Sequence, residues 1–273
     1  MLEFLVAGGD RRACLLADEL QKQGYTVQTL GVKPGDDTSA DGAKADVLLL
    51  PYPFSVKDGW IRSQAGVELS LETVLHSAKE NAVIFYHGKI EKPGNDFRWV
   101  PYDSDPVFLQ ENARISAEGA ISALMLATED SLKNMHCLVT GYGVFGRELV
   151  RMLMMFGGKV TVAARRQEAL DQARQDGASA VELSSLEDAA SRVDAVLNTV
   201  PAQIISTEML EKLPEHCLMM ELASQPGGFD PVQVKERNLA LLNLPGIPGR
   251  YAPKAAAKAL MKTVISTLKE MEK

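Results

Sequence analysis

Two α/β domains, each built round a parallel sheet, are the architecture this sequence predicts. Three observations predict it. Short apolar runs alternate with amphipathic segments at helical spacing through both halves; glycine or proline closes nearly every run; and one proline-bracketed break, Pro101 to Pro106, interrupts the rhythm. The second half is expected to form an open, doubly wound sheet over about residues 135 to 245, and the last segment one long helix that packs back at the junction.

From the start, LEFLVAGG is an apolar run ending in glycines, and DRRACLLADELQKQG carries apolar residues at helical spacing with Gly24 as its stop. YTVQTLGV supplies a second strand, the polar stretch from Lys33 to Lys44 a surface loop, and ADVLLLPYP a third strand closed by Pro51 and Pro53. LSLETVLHSAKEN then predicts a helix and AVIFYHG a strand. After the break, Ser116 to Thr128 is rich in helix formers and apolar on much of its surface, which suits a helix joining two domains.

The alternation resumes after Asn134. HCLVTG is a strand, VFGRELVRMLMMFGG a helix, KVTVAA a strand, and EALDQARQDG a helix stopped near Gly177. Ser184 and Glu187 have capping-box spacing and open another helix. DAVLNTVP, CLMMELAS and LALLNLPG are three more strands with helices between, and the chain from Pro253 onward is the long terminal helix. The expected domains are residues 1–115, with 253–273 packing back on them, a connecting helix 116–130, and a dinucleotide-binding domain 131–252.

Composition excludes several roles. With 36 acidic residues against 29 basic ones the net charge is −7, and no basic patch offsets it, so nucleic acid is not an expected partner. No run approaches the roughly 18 apolar residues of a membrane span, and MLEFLVAGGDRR lacks a basic leader region and a cleavage signal; the expected compartment is the cytoplasm. Cys14, Cys137 and Cys217 are too few and too scattered for a disulfide framework. His136-Cys137 and His216-Cys217 pair soft ligands, but each pair stands where a strand begins and their spacing matches no zinc module. Buried cysteines, with no metal, are the plainer reading.

The segment VTGYGVFGREL sets Gly141, Gly143 and Gly146 in G-x-G-x-x-G spacing, directly after a strand and at the opening of a helix. In that context the motif predicts a Rossmann-type site: Gly141 for the tight turn, Gly143 for backbone approach to a pyrophosphate, Gly146 for close helix packing, and Tyr142, Val144 and Phe145 along the same loop. About 20 residues on, a carboxylate would ordinarily hold the ribose of NAD. Here the strand ends Ala163-Ala164-Arg165-Arg166. Guanidinium groups pair with a 2′-phosphate, which favours NADP over NAD; a solvated basic pair at a helix start is the plain alternative. Two more strand ends face the same cleft: Asn198-Thr199-Val200-Pro201 and Leu222-Ala223-Ser224.

Together these residues resemble the family of the dipicolinate synthase A subunit. AGGDRR, ENARISAEGAI, GYGVFGREL, AARR, NTVP, ELASQPGGFD and LPGIPGRYAPKAA carry the resemblance, and they span most of the chain. Arg250-Tyr251 and the alanines after Lys254 depart from the family's usual terminal run. The resemblance implies an NADP-dependent dehydrogenase that converts the cyclic product of dihydrodipicolinate synthase into pyridine-2,6-dicarboxylate. It also implies partnership with a flavoprotein-like B subunit, a homo-oligomer, and action in the mother-cell cytoplasm during sporulation.

A substrate with two carboxylates calls for donors. Arg114 in the junction motif is the first candidate, assisted by Ser116 and the N–H groups of a helix starting there. Glu118 or His87 is placed to take the ring proton, and Gly246 and Tyr251 to line the pocket. Asp10 and Arg11 are further candidates. Each has an ordinary alternative: Arg114 in an ion pair, Glu118 serving the helix dipole, His87 bonded to a loop. A non-catalytic NADP-binding regulatory or scaffold protein, or a related dehydrogenase of a small carboxylic acid, remains the alternative function.

Overall fold

The computed structural model describes residues 2–36, 44–53, 56–92 and 96–273, and most of the loop expected between Lys33 and Lys44 lies outside them. The chain divides into two compact units, one of residues 1–112 with 248–273 and one of residues 113–247.

The first unit opens with β1 (Glu3–Ala7), α1 (Arg11–Lys22), β2 (Thr26–Leu30) and β3 (Ala45–Leu49). There follow β4 (Val56–Lys57), β5 (Trp60–Ile61), β6 (Leu69–Ser70), α2 (Leu71–Leu75), β7 (Ala78–Tyr86) and β8 (Arg98–Pro101). Five strands form one parallel sheet in the order β2-β1-β3-β7-β8. Alternation sorts its side chains: Phe4, Val6, Val47 and Leu49 face α1 and the C-terminal helix (Pro253–Met271), while Leu5, Ala7, Leu48 and Leu50 face Ile61, Leu69 and Val74. The C-terminal helix thus packs inside this unit, with Ala257, Leu260 and Val264 against Leu16 and Leu20 of α1.

Three features of this unit depart from the sequence reading. The helix expected over LSLETVLHSAKEN stops at Leu75, and Ala78 already pairs with Ala45 of β3. A register shift before Val83 absorbs the extra residues, with Asn81 in the left-handed region at φ 63° and its N–H bonded to Asp96. β8 adds an unforeseen fifth strand, and β4, β5 and β6 form a small antiparallel sheet.

Helix α3 (Pro106–Ala127) starts ten residues before the Ser116 start read from sequence. Pro106 occupies its first turn, where its missing N–H costs nothing, and the Asp105 carboxylate accepts from Val107 N at 2.8 Å. The other Asp105 oxygen accepts from Thr263 Oγ1 at 2.6 Å, so the break near Pro101–Pro106 is a helix start anchored to the C-terminal helix.

The second unit continues with β9 (His136–Thr140), α4 (Val144–Met155), β10 (Lys159–Ala164), α5 (Gln167–Gln175) and β11 (Ser179–Glu182). It ends with α6 (Leu186–Ala190), β12 (Ala195–Asn198), α7 (Thr207–Lys212), β13 (Leu218–Glu221), α8 (Pro231–Glu236) and β14 (Ala240–Asn243). α9 (Ile247–Tyr251) follows as one turn of helix where the sequence reads as Pro-Gly turns. The strands run parallel in the order β11-β10-β9-β12-β13-β14, which is the doubly wound Rossmann order with its reversal between β9 and β12. β11 has no counterpart in the sequence reading. Nor does the Ser184–Glu187 capping box form: the Ser184 hydroxyl bonds Glu182 at 3.2 Å, and Glu187 takes Lys212 at 2.9 Å.

Candidate functional site

In an open α/β sheet the ligand crevice lies beyond the carboxyl ends of the strands where the order reverses, here β9 and β12. The glycine turn sits at that point. Gly141 has φ 86°, donates its N–H to Ala163 O at 2.8 Å, and lies so close to β12 that a Cβ would stand 2.6 Å from Thr199 Oγ1. A Cβ on Gly146 would collide with the Gly141 carbonyl. Gly143 differs from both, since a Cβ there would meet no atom within 4 Å. Protein packing therefore demands glycine at 141 and 146, whereas the space over Gly143 is open. It lies at the start of α4, whose first N–H groups have no side-chain cap among the described residues. Those features fit a dinucleotide's pyrophosphate.

The side chains along the loop behave unequally. Tyr142 is 6% exposed, packs in the core beside Leu149 and Leu170, and donates its hydroxyl to Asp176 at 2.6 Å, so it offers the crevice only its backbone. Burial, with the Asp176 carboxylate, raises that phenol's pKa well above its ordinary value. Val144 and Phe145 are half-buried. At the end of β10, Arg165 and Arg166 are both exposed, and neither side chain has a hydrogen-bond or ion-pair partner among the described residues.

Between β12 and β13 stands a buried polar cluster. Glu221, 7% exposed, accepts from Asn198 Nδ2 at 2.7 Å, Ala223 N at 3.0 Å and Gly228 N at 2.6 Å. Asn198 is fully buried; its Oδ1 accepts from Thr140 Oγ1 at 2.6 Å and Val200 N at 3.1 Å. The sequence reading sets Asn198 against the ligand, but the side chain is turned inward and engaged on every side. Thr199 also turns in, donating to Thr140 O at 2.6 Å. Val200, Pro201, Ala223 and Ser224 keep partial or full exposure, while Leu222 is buried. Glu221 escapes the sequence reading, although a lone acid between Met220 and Leu222 in an apolar strand is itself a signal: a buried charge needs partners.

The substrate candidates are distributed over both units. In the second, Arg114 and Glu118 lie one turn apart on α3, the arginine exposed and the glutamate half-buried, with Arg114 Nε to Glu118 Oε1 at 3.3 Å. Ser116 is buried in mid-helix, so the free helix-start N–H groups expected there do not exist. Gly246 is exposed at φ 66°. In the first unit, His87 follows β7 half-buried, its ring edge-on to Tyr52 at 4.6 Å; burial and the Arg12 charge lower its pKa against the raising effect of Asp103. Tyr251 is exposed at the end of α9.

After β1 the two adjacent arginines differ in their surroundings. Arg11 is exposed, while Arg12 is 4% exposed and grips Asp10, Nε to Oδ1 at 2.9 Å. Asp10 also caps α1 through Arg12 N at 2.9 Å. Burial would raise the Asp10 carboxyl, but bonding to Arg12 and the Arg12 and Arg62 charges outweigh it and hold the pKa below the ordinary value.

The cysteine pairs are engaged otherwise. His136 Nε2 lies 2.8 Å from Thr161 Oγ1, His216 Nε2 lies 3.1 Å from Asp194, and burial pushes Cys137 and Cys217 up to about 12. Among the described residues no helix is long and apolar enough to cross a membrane.

Comparison with known proteins agrees with this architecture. Residues 3–93 match the family model for the N-terminal domain of the dipicolinate synthase A subunit, and residues 110–224 match that for the NAD-binding domain of D-isomer specific 2-hydroxyacid dehydrogenases. The chain is 27% identical over 289 residues to the dipicolinate synthase A subunit of Bacillus subtilis, covering 99% of this chain and 97% of that one. The crystal structure of the corresponding dipicolinate synthase polypeptide from Bacillus subtilis superposes with TM-score 0.85 at 23% identity, over 99% of this chain and 97% of that one. That of the A subunit from Bacillus halodurans gives 0.84 at 24%, over 98% and 97%. These two likenesses speak for the fold. The first unit thus matches a family-specific N-terminal domain, the second a dehydrogenase-type nicotinamide-dinucleotide domain, and the chain is similar nearly end to end to a dipicolinate synthase A subunit.

Proposed function

We propose that the chain is an NADP-dependent oxidoreductase that oxidises the cyclic dihydrodipicolinate synthase product (4-hydroxy-tetrahydrodipicolinate, or the dihydrodipicolinate formed by its dehydration) to pyridine-2,6-dicarboxylate. The observation that carries the reading is the open space over Gly143 at the start of α4, with two unpartnered guanidinium groups, Arg165 and Arg166, at the end of the next strand. When bound, the nicotinamide supplies a hydride acceptor. The chain's part is to hold and orient. The N–H groups opening α4 take the pyrophosphate, Arg165 and Arg166 take the 2′-phosphate, and the exposed parts of Val200–Pro201 and Ala223–Ser224 border the nicotinamide half.

On the substrate side, Arg114 holds a carboxylate. Its exposed pair with Glu118, at 3.3 Å, is worth about 0.5 kcal/mol or less, so exchanging one carboxylate for another costs little. Loss of a hydride and a proton from the dihydropyridine leaves the aromatic ring. His87, neutral near pH 7 because its pKa is lowered, accepts that proton, with Glu118 as the other candidate. Ser116 acts through helix packing, and Gly246 and Tyr251 line the substrate side. The relative's designation by the letter of one component supports a second component, the B subunit, for partner; by resemblance the setting is the mother-cell cytoplasm of a sporulating cell, with the chain in a homo-oligomer.

Mixing the chain, NADP and freshly made synthase product, with and without the B subunit, tests the reading by absorbance at 340 nm. A rise that requires the chain supports it; no rise under either condition refutes it. A second reading is a non-catalytic NADP-binding protein, in which Arg114 serves only its pair with Glu118. Partner-dependent turnover unchanged in a folded Arg114→Ala variant supports that one.

A further inference from the structure

We infer that Glu221 is a positioning residue: its buried carboxylate fixes the two loops that border the nicotinamide half of the crevice. The inference rests on the cofactor reading above. Two loops leave the sheet there, one after β12 and one after β13. Glu221 joins them from within, because Oε1 takes Asn198 Nδ2 at 2.7 Å from the first and Ala223 N at 3.0 Å from the second. Its Oε2 takes Gly228 N at 2.6 Å and Phe229 N at 3.4 Å, where the second loop returns.

The return is built to let the backbone reach that carboxylate. A Cβ on Gly227, at φ 84°, would stand 2.8 Å from Glu221 Oε2, and one on Gly228 would stand 2.5 Å from Asn198 Nδ2. Gly228 O in turn accepts from Ile204 N at 3.3 Å and Ile205 N at 3.2 Å, and Leu222 N donates to Asn198 O at 3.0 Å. Both loops are therefore tied to one carboxylate, and the tip between the anchors, Ser224 to Pro226, is the part left exposed. Every donor round Glu221 is a backbone N–H or a primary amide, so the geometry calls for an acceptor with two free oxygens. Glutamine offers one oxygen and turns an NH₂ toward donors.

The role is separable from general stability because the glycine turn and Arg165–Arg166, which take the adenosine half, make no contact with Glu221 in the hydrogen bonds above. Glu221→Gln keeps the volume, and Asn198→Asp, also isosteric, sets carboxylate against carboxylate at the same joint. For each variant, the affinity for 2′-phospho-ADP-ribose, which lacks nicotinamide, would be measured by calorimetry below the melting temperature. The fluorescence enhancement and anisotropy of bound NADPH report the nicotinamide ring. Expected are a fragment affinity within twofold of wild type and loss of at least half the NADPH fluorescence enhancement. Where turnover is measurable, kcat falls at least tenfold with KM for NADP within threefold. Equal losses for fragment and NADPH, or no change in either, overturn the inference. A wild-type chain that binds neither ligand overturns the cofactor reading itself, and the inference with it.

Discussion

Alanine at Gly143 and alanine at Gly146 are the same chemical change made three residues apart, and the two should fail in different ways. At Gly143 the backbone has φ −79° and ψ −167°, open to any residue, and a Cβ meets nothing within 4 Å. The free protein should lose no stability, and the smaller conformational freedom of the unfolded chain should add about 0.4–1 kcal/mol. Binding should suffer, because the methyl group takes space the pyrophosphate needs. Overpacking costs about 1–3 kcal/mol, and 2 kcal/mol corresponds to roughly 30-fold in Kd.

At Gly146 the methyl collides with the Gly141 carbonyl and approaches its carbon to 3.1 Å, both backbone atoms of a turn held against β12. The same cost of about 1–3 kcal/mol then falls on the free protein, a drop in Tm of roughly 2–10 °C. Thermal melts without ligand and calorimetric titration with NADP separate the two. Gly143→Ala melting as low as Gly146→Ala, or binding NADP like wild type, would refute the reasoning.

Three further outcomes follow from the same geometry. Tyr142→Phe should lower stability by about 1 kcal/mol in denaturant titration, through the lost bond to Asp176, and leave the Kd for NADP within twofold. Asp10→Ala removes the α1 cap and strands the buried Arg12 guanidinium, at about 3 kcal/mol. Because the Asp10 pKa is lowered in the folded state, its contribution is present above the unfolded value near 3.8 and is lost as pH falls through the folded value; wild-type and variant stabilities should converge in acid. If His87 takes the ring proton, the acid limb of kcat/KM lies below its ordinary 6.5, since burial favours the neutral ring, and His87→Gln should remove that limb.

Much of the architecture is legible in the sequence because strands and helices here have different periods and glycine separates them. HCLVTG, KVTVAA and DAVLNTVP are mostly apolar, as central strands of a parallel sheet are, and VFGRELVRMLMM is amphipathic. Where pairing rather than period decides, the reading fails: Ala78 to Asn81 continue a helical pattern, but Ala78 pairs with β3 and the next residues form the bulge before Val83, and SAVE and RWVP are short edge strands of their sheets. The start of α3 is hidden because PYDSDP reads as a loop, although Asp105 followed by Pro106 is also a cap and a first helical residue. Helical register distinguishes the arginines of α1. Arg12 shares a face with Leu16 and Leu20, and Arg11 does not. The Glu221 joint depends on contacts between loops after two different strands, which spacing along the chain does not encode.

In the function proposed above, the crevice at β9 and β12 takes NADP by its 2′-phosphate. Calorimetric titration of NADP and NAD into wild type and the Arg165→Ala, Arg166→Ala double variant tests it most directly. Wild type should prefer NADP, and the variant should lose about 2–3 kcal/mol of that preference, roughly 30- to 150-fold in the affinity ratio, with NAD binding unchanged. An NADP/NAD ratio identical in wild type and variant would rule out a 2′-phosphate clamp and leave the two arginines as surface charge.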